Sequence, residues 1–210
     1  MKILAVADWI DPVIYSEQLK NRMADADIIV GCGDLTFGYL DFIMSELNKP
    51  VFFVTGNHVE DTNLQRTSMG TVKLKAPKCF SNLHLKVYRT NGILIGGFQG
   101  SVWYNGGVFQ YRQWEVYVAL LKMFPRLFYN KLRYGRYIDV FVTHAPPFGL
   151  GYLSDPCHVG IKAFRWFIKL FKPRLMLHGH VHLYDRNAPK IREYHGTQII
   201  NCTGYYKATL

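Results

Sequence analysis

The sequence has few acidic residues and no long apolar run. It carries 15 Asp and Glu against 25 Lys and Arg, which gives a formal net charge of +10. No apolar run reaches the roughly 18 residues that a membrane-spanning helix needs. The first residues also lack the long apolar stretch of a secretory signal. We therefore expect a cytoplasmic protein without a membrane partner.

Signature motifs of several enzyme classes are missing as well. The four cysteines form no CxxC pair, so neither a zinc knuckle nor a redox dithiol is indicated. The absence of a GxSxG elbow and of a Gly-rich Walker loop gives no support to a serine hydrolase or a P-loop nucleotide hydrolase. With 49% hydrophobic residues, the 210 residues suffice for one domain with a sizeable core.

Short apolar runs alternate with amphipathic stretches along the chain. Apolar runs predict strands at 2–7, 27–30, 51–54, 83–88, 92–98, 138–142, 175–177 and 199–202, the last closing the chain. Helical spacing predicts helices at 36–47, with Thr36 as N-cap, at 110–124 and at 160–171. Strand–helix–strand order favours parallel strands, whereas the turn at Asn91-Gly92 favours a hairpin. We expect an α/β fold with mixed sheets.

The stretch at about 102–136 differs from its surroundings. It contains ten aromatic residues and six Lys or Arg, but Glu115 is its single acid. We interpret it as a basic aromatic insertion or cap over the sheet edges; the alternative is a helix buried by its own aromatic residues. Because aromatic residues with cations suit stacking on single-stranded nucleic acid, a nucleic-acid partner or nuclease activity stays open.

Polar residues follow several of the predicted strands directly. They are Asp8, Asp34, Asn57 with His58, His144, and His180 with His182. In open α/β sheets, ligand sites lie beyond the carboxyl ends of the strands, so these distant segments can share one site. Carboxylate, amide oxygen and imidazole together suit Mn, Fe or Zn.

These clusters also carry a family resemblance. GCGD at 31–34, TGNH at 55–58, THAPP at 143–147 and HGHVH at 178–182 resemble, in this order, the motifs of calcineurin-like metallophosphoesterases. DPCHVG at 155–160 resembles a small prokaryotic-type branch of that family. The resemblance implies a single domain over 1–210, folded as a four-layer α/β/β/α sandwich with two mixed sheets. It also implies hydrolysis of a phosphate mono- or diester by a metal-activated hydroxide.

The resemblance further implies two divalent or trivalent metal ions, with Mn, Fe or Zn equally suitable. Asp34 would bridge both ions, and Asn57, His144 and His180 would complete one of them. Asp8 and His182 would hold the other ion, and His58 would donate a proton to the leaving group or steady the phosphate. Asp155 and His158 are candidate substrate contacts, since they follow the HAPP segment.

The first motif departs from the family pattern. The family normally has Asp-x-His there, whereas this chain reads Asp8-Trp9-Ile10. Isoleucine cannot bind a metal, so we expect the ion at Asp8 to be held more weakly. Asp11 is a candidate replacement ligand, although before Pro12 it also fits a simple turn. Together with Val59, where an acidic residue is common, this leaves a catalytically weakened binding scaffold as an alternative.

Overall fold

The computed structural model describes residues 1–58, 63–67, 70–150, 157–182 and 189–210. The strands in chain order are β1 (Lys2–Ala7), β2 (Ile28–Gly31), β3 (Val51–Phe53), β4 (Leu64–Thr67), β5 (Gly70–Lys73), β6 (Ser81–Asn82), β7 (Val87–Thr90), β8 (Ile93–Phe98), β9 (Ser101–Val102), β10 (Gln110–Tyr111), β11 (Val140–Thr143), β12 (Leu175–His178), β13 (Ile191–Tyr194), β14 (Thr197–Asn201) and β15 (Gly204–Thr209). The helices are α1 (Leu19–Met23), α2 (Phe37–Leu47), α3 (Gln113–Leu121), α4 (Phe124–Tyr134) and α5 (Lys162–Phe171).

Two mixed sheets form the centre of the molecule. The first sheet has the order β15-β1-β2-β3-β6, in which β1, β2, β3 and β6 run parallel and β15 pairs antiparallel with β1. The second has the order β13-β14-β12-β11-β8-β7, with four parallel strands between antiparallel edges. Helical crossovers such as α2 connect neighbouring parallel strands, as this topology requires.

The side chains of the strands sort into layers by alternation. On β1, Ile3 and Ala5 point into the core between the two sheets, whereas Leu4 and Val6 pack with α1 and α2 on the outer side. On β11, Val140 faces the same inter-sheet core, while the outer face of the second sheet packs against α3, α4 and α5. The predicted four-layer α/β/β/α sandwich is therefore confirmed.

Several predicted elements match the structure. The helix at 36–47 begins where expected, because the hydroxyl of Thr36 accepts a hydrogen bond from the backbone N–H of Tyr39 at 3.1 Å. This N-cap satisfies one of the amide groups that have no partner inside the helix. The predicted hairpin at Asn91-Gly92 joins β7 to β8, and both turn residues have positive φ angles.

Other predicted elements were wrong in their bounds. The strand predicted at 83–88 begins only at Val87, since Leu85 has a left-handed backbone with φ of 56° that interrupts an extended chain. Of the helix predicted at 110–124, only Gln113–Leu121 is helical, as α3; its first two residues form β10, and α4 begins at Phe124 as a further helix that was not predicted. Pro125 lies in the first turn of α4, where its missing N–H costs no hydrogen bond. The strand at 199–202 does not close the chain. After Gly204 turns with φ of 74°, β15 pairs with β1.

The stretch at 102–136 supplies β10, α3 and α4. Its buried side chains Val116, Leu120 and Leu127 belong to the core on the outer face of the second sheet, together with α5. In the structure, its helices thus cover a sheet face, although the sequence predicts a cap over sheet edges. Whether the stretch is an insertion relative to other family members stays a prediction.

Candidate metal centre

Four polar atoms from both sheets meet at the carboxyl ends of their parallel strands. Nε2 of His144, after β11, lies 3.1 Å from Asn57 Oδ1, 3.1 Å from Asp34 Oδ2 and 3.1 Å from His180 Nδ1. These residues follow β3, β2 and β12, respectively. Asn57, His144 and His180 are buried, and Asp34 is largely so. The structure thus brings together four of the residues predicted as metal ligands.

The hydrogen bonds of the two imidazole rings fix which nitrogen faces this cluster. Nδ1 of His144 donates to the carbonyl of Cys32 at 2.9 Å, and Nε2 of His180 donates to the carbonyl of Cys157 at 2.8 Å. Since a carbonyl can only accept, these nitrogens carry the ring protons. The opposite nitrogens of the neutral rings therefore present lone pairs to the carboxylate of Asp34 and the amide oxygen of Asn57.

When His144 is neutral, the four electron-pair donors that converge here fit a metal cation. Metal–nitrogen and metal–oxygen bonds of about 2.0–2.2 Å place neighbouring ligand atoms roughly 3 Å apart. The distances of 3.1 Å within the cluster agree with that spacing. The ligand atoms of Asp34, His144 and His180 all lie within 4.8 Å of one another. Left without a cation, buried lone pairs at these distances would repel each other.

The pKa values show how the cluster is neutralised without a cation. Burial lowers the pKa of His144, but the nearby carboxylate of Asp34 outweighs burial and raises it to about 9. Partial burial raises the pKa of Asp34, yet the charge of His144 and its hydrogen bond bring it down to about 2. Burial, reinforced by the charge on His144, lowers the pKa of His180 to about 3. A single proton on Nε2 of His144 thus occupies the position that a cation would take.

The backbone around the cluster is held in unusual conformations. Asp8, Asp34 and His180 have φ angles of 70°, 53° and 67°, in the left-handed region that costs a non-glycine residue of the order of 1 kcal/mol. A Cβ added at Gly56 would overlap the carboxylate of Asp34, so only glycine allows this close approach. Strained residues persist where the surrounding structure holds them, commonly at functional sites.

Asp8 lies beside the cluster, and both of its carboxylate oxygens accept hydrogen bonds from the protein. Its Oδ1 accepts the backbone N–H of His180 at 2.8 Å, and its Oδ2 accepts the hydroxyl of Thr203 at 2.7 Å. Burial raises the pKa of Asp8, while these hydrogen bonds and the charge of His144 oppose that shift. Nε2 of His182 is 3.9 Å from Asp8 Oδ1, and the ring of His182 packs edge-on against Trp9.

The residues after Asp8 add no ligand to the four-atom cluster. Ile10, where the family has histidine, is 46% exposed. Oδ1 of Asp11 accepts the backbone N–H of Val13 at 2.8 Å, which is the side-chain hydrogen bond of an Asp turn before proline. In the structure, the side chain of Asp11 therefore stabilises this turn.

An open cavity of about 270 Å³ lies over the cluster. It is lined by Asp8, Asp34, His58, Tyr104, Cys157, His158, His180 and His182. His58 is exposed there, and its backbone N–H donates to Asp34 Oδ1 at 2.8 Å. The ring of His158 lies 4.9 Å from that of His180. The predicted positions Val59 and Asp155 lie outside the described residues.

Comparison with known proteins decides the family. The profile of calcineurin-like phosphoesterases matches residues 1–184, which is most of the chain. The chain belongs to the calcineurin-like phosphoesterase family. Family membership supports a metal-dependent phosphoesterase in general terms, and Asp34, His144 and His180 form its candidate metal site.

Two solved structures with TM-scores above 0.5 share the fold of this calcineurin-like phosphoesterase. One crystal structure has a TM-score of 0.63 at 19% identity, covering 97% of this chain and 90% of its own. The TT1561 protein of Thermus thermophilus has a TM-score of 0.58 at 16% identity, covering 97% and 89%. Phosphopantetheinyl hydrolase from Mycobacterium tuberculosis has a TM-score of 0.49 at 13% identity, covering 96% and 88%. A search among curated proteins found no match.

Two residues that contact the predicted ligands, Tyr104 and Thr203, were not predicted from the sequence. The phenol oxygen of Tyr104 accepts a hydrogen bond from Nδ2 of Asn57 at 3.0 Å. This hydrogen bond orients the amide oxygen of Asn57 toward His144. Thr203 holds Asp8 through its hydroxyl. Tyr104 lies in the aromatic stretch, away from the family motifs, and Thr203 follows the last predicted strand. The place of Thr203 just after a predicted strand was an available signal, whereas Tyr104 follows only the two-residue strand β9.

Proposed function

We propose that this calcineurin-like phosphoesterase hydrolyses a phosphate mono- or diester with the help of divalent cations bound at the cluster. The observation that carries the proposal is the convergence of four lone pairs. One belongs to Nε2 of His144, and the other three belong to atoms 3.1 Å from it. A divalent cation bound there supplies charge that neutralises phosphate oxygens and acidifies a water molecule. Carboxylate, amide and imidazole ligands suit Mn, Fe and Zn alike.

The chain's own residues take distinct parts in this proposal. Asn57, His144, His180 and Asp34 would hold one cation at the cluster, and Asp8 with His182 would hold a second beside Asp34. His58, exposed at the cavity, donates a proton to the leaving oxygen or steadies the phosphate. The carbonyl groups that hold the rings of His144 and His180 keep both imidazoles in the tautomer that a cation requires.

Turnover of simple substrates tests the proposal. With added Mn²⁺, the purified protein should hydrolyse an aryl phosphate monoester or a bis-aryl phosphate diester, and the two rates decide between monoesterase and diesterase. Asp34→Ala, Asn57→Ala and His180→Ala should each remove activity. His195→Asn is the matched control, because His195 lies in an exposed turn with φ of 50°, which asparagine tolerates. Full activity of Asp34→Ala would disprove the mechanism.

The alternative is a metal-poor binding scaffold, which the missing ligand at Ile10 keeps open. Elemental analysis of the purified protein separates the two functions. A stoichiometric metal together with turnover excludes the scaffold. Absence of both metal binding and turnover, in protein with a cooperative thermal transition, would establish it instead.

A further inference from the structure

Helices α3 and α4 each expose a second apolar face. Trp114, Tyr117, Val118 and Leu121 of α3 recur at helical spacing and are all exposed. Pro125, Phe128, Tyr129 and Leu132 of α4 repeat the same spacing. These eight residues are called the apolar stripe below. They lie on the side away from Val116, Leu120 and Leu127, which already anchor the helices to the second sheet.

The exposure of the apolar stripe is concentrated. Among the described residues, fifteen large hydrophobic side chains are markedly exposed, and seven of them lie on α3 and α4. Leu132 is 90% exposed and Trp114 is 60% exposed. Scattered exposed hydrophobic residues need no explanation, but a cluster of this kind marks an interaction surface.

The two halves of the stripe are joined by packed rings. Tyr117 of α3 contacts Trp166 of α5 with ring centroids 5.7 Å apart, and Trp166 stacks on Phe124 of α4 at 5.6 Å. Phe124 in turn contacts Phe128 at 6.0 Å. The stripe is therefore one surface that crosses both helices.

Cations border this surface. Arg126, Lys131 and Arg133 are exposed on α4, and Lys122 is exposed between the two helices. The guanidinium of Arg126 lies over the ring of Tyr129 at 5.3 Å, so charge adjoins the stripe directly. The single acid of the stretch, Glu115, is engaged in capping α3, where its Oε2 accepts the backbone N–H of Arg112 at 2.7 Å. The charged side chains of α3, of α4 and of the two residues between them are thus cationic apart from Glu115.

We propose that the apolar stripe and its basic rim bind the surface of an anionic phospholipid membrane. Amphipathic helices with Trp, Phe and Leu on one face and Lys or Arg beside them lie in the plane of a bilayer in this way. Trp114, Tyr117 and Tyr129 have amphipathic rings that suit the headgroup region. The aliphatic side chains of Leu121 and Leu132 enter the acyl region.

Two other occupants match the surface less well. In a face-to-face dimer, two basic rims would meet with Glu115 as the single acid of each stretch, at a net charge of +10 per chain. Single-stranded nucleic acid would satisfy the cations and stack on the rings. It would, however, leave the exposed aliphatic groups of Val118, Leu121 and Leu132 against a charged backbone.

Membrane attachment of this kind needs no spanning segment. Within the described residues, no helix is both long and apolar enough to cross a bilayer. A surface-bound protein departs from the expectation, drawn from the sequence, of a chain without a membrane partner. The proposal is independent of the metal centre, so its failure and that of the proposed function are distinguishable.

Vesicle co-sedimentation of the full chain tests the proposal. The protein should bind phosphatidylcholine vesicles that contain phosphatidylserine and should bind pure phosphatidylcholine vesicles much more weakly. The triple variant Arg126→Gln, Lys131→Gln, Arg133→Gln should bind about a hundredfold more weakly, since each cation near an anionic surface contributes about fivefold. The double variant Leu121→Ser, Leu132→Ser should lose at least about tenfold.

Matched variants show whether the effect is local. Arg22→Gln, Lys75→Gln, Lys78→Gln removes the same charge from exposed positions outside α3 and α4, and Ile191→Ser removes an exposed aliphatic group from β13. Both should retain vesicle binding. Circular dichroism should show that all variants keep the secondary structure of the wild type.

Three results would overturn the proposal. The first is vesicle binding that the control charge variant weakens as much as the variant on α4 does. The second is binding to a short single-stranded oligonucleotide, sensitive to the α4 cations, without binding to anionic vesicles. The third is a stable dimer in sedimentation equilibrium that Leu121→Ser, Leu132→Ser dissociates.

Discussion

Tyr104 offers a sharp test of how the metal centre is organised. Its phenol oxygen accepts Nδ2 of Asn57 at 3.0 Å, and Asn57 is only 5% exposed. The substitution Tyr104→Phe removes this acceptor and keeps the ring. A buried amide donor left without a partner costs about 1–3 kcal/mol, or roughly 5- to 100-fold in an equilibrium constant. Because Tyr104 lines an open cavity that admits water, we expect the lower part of that range, about tenfold weaker Mn²⁺ binding.

Tyr111→Phe is the matched control for this experiment. The phenol oxygen of Tyr111 also accepts a side-chain amide, Nε2 of Gln99, at 3.0 Å, and Gln99 is similarly buried. Neither residue lines the cavity over the cluster. Isothermal titration with Mn²⁺ should therefore give wild-type affinity for Tyr111→Phe. The reasoning is refuted if Tyr104→Phe binds Mn²⁺ like the wild type, or if both variants lose the same affinity.

Further predictions concern proton competition, close packing and the buried acid beside the second sheet. Because the pKa of His144 is raised to about 9, its ring carries an extra proton below that pH, and this proton must leave when a cation binds. The affinity for Mn²⁺ should therefore rise about tenfold per pH unit from pH 6.5 to 8.5. An affinity that does not change with pH would contradict this. Gly56→Ala should lose stoichiometric metal by elemental analysis, since its Cβ overlaps the carboxylate of Asp34; retained metal would show that the loop can shift. Asp139→Ala should lower the free energy of unfolding by about 2–3 kcal/mol, because buried Asp139 accepts the backbone N–H of Leu94 at 2.7 Å and pairs with a partly exposed arginine. A melting temperature within about 2 °C of the wild type would contradict the last prediction.

The core elements of the fold follow from local signals. Buried parallel strands are short continuous apolar runs, which is why β1, β3 and β11 are evident from the sequence. The helix α2 carries both an apolar spacing and a Thr36 cap. The edge strand β15 was missed because its alternation is weak: Tyr205 and Tyr206 are both half-buried, and only its pairing with β1 makes it a strand.

Helix boundaries in the aromatic stretch were hidden for a different reason. Residues of α3 and α4 are apolar on two faces, so no single periodic stripe marks where one helix ends. Pro125 is the informative residue, since proline is tolerated only in the first turn of a helix. Interpreted as a helix start rather than a stop, it separates the two helices at Lys122 and Met123.

The cluster itself could be anticipated as a set of residues but not as a geometry. Motif order places Asp34, Asn57, His144 and His180 at strand ends, and the sheet topology brings those ends together. The tautomers that aim two imidazole lone pairs at one point depend on backbone carbonyls of Cys32 and Cys157, which no side-chain pattern encodes. Tyr104 likewise reaches Asn57 across 47 positions of sequence.

Asp8 and the cluster around His144 differ in what they would gain from a bound cation. Both oxygens of Asp8 accept protein protons, one from the backbone of His180 and one from Thr203, so this carboxylate is satisfied in the absence of metal. When the ring of His144 is neutral, its Nε2 and the three atoms 3.1 Å from it are all acceptors, and only a proton or a cation relieves their repulsion. We therefore expect a cation to gain more at His144 than beside Asp8, where Ile10 stands at the position at which the family pattern has histidine. For the two cations of the proposed function, the isoleucine at position 10 and the internal hydrogen bonds of Asp8 both predict that Mn²⁺ binds first on the His144 side.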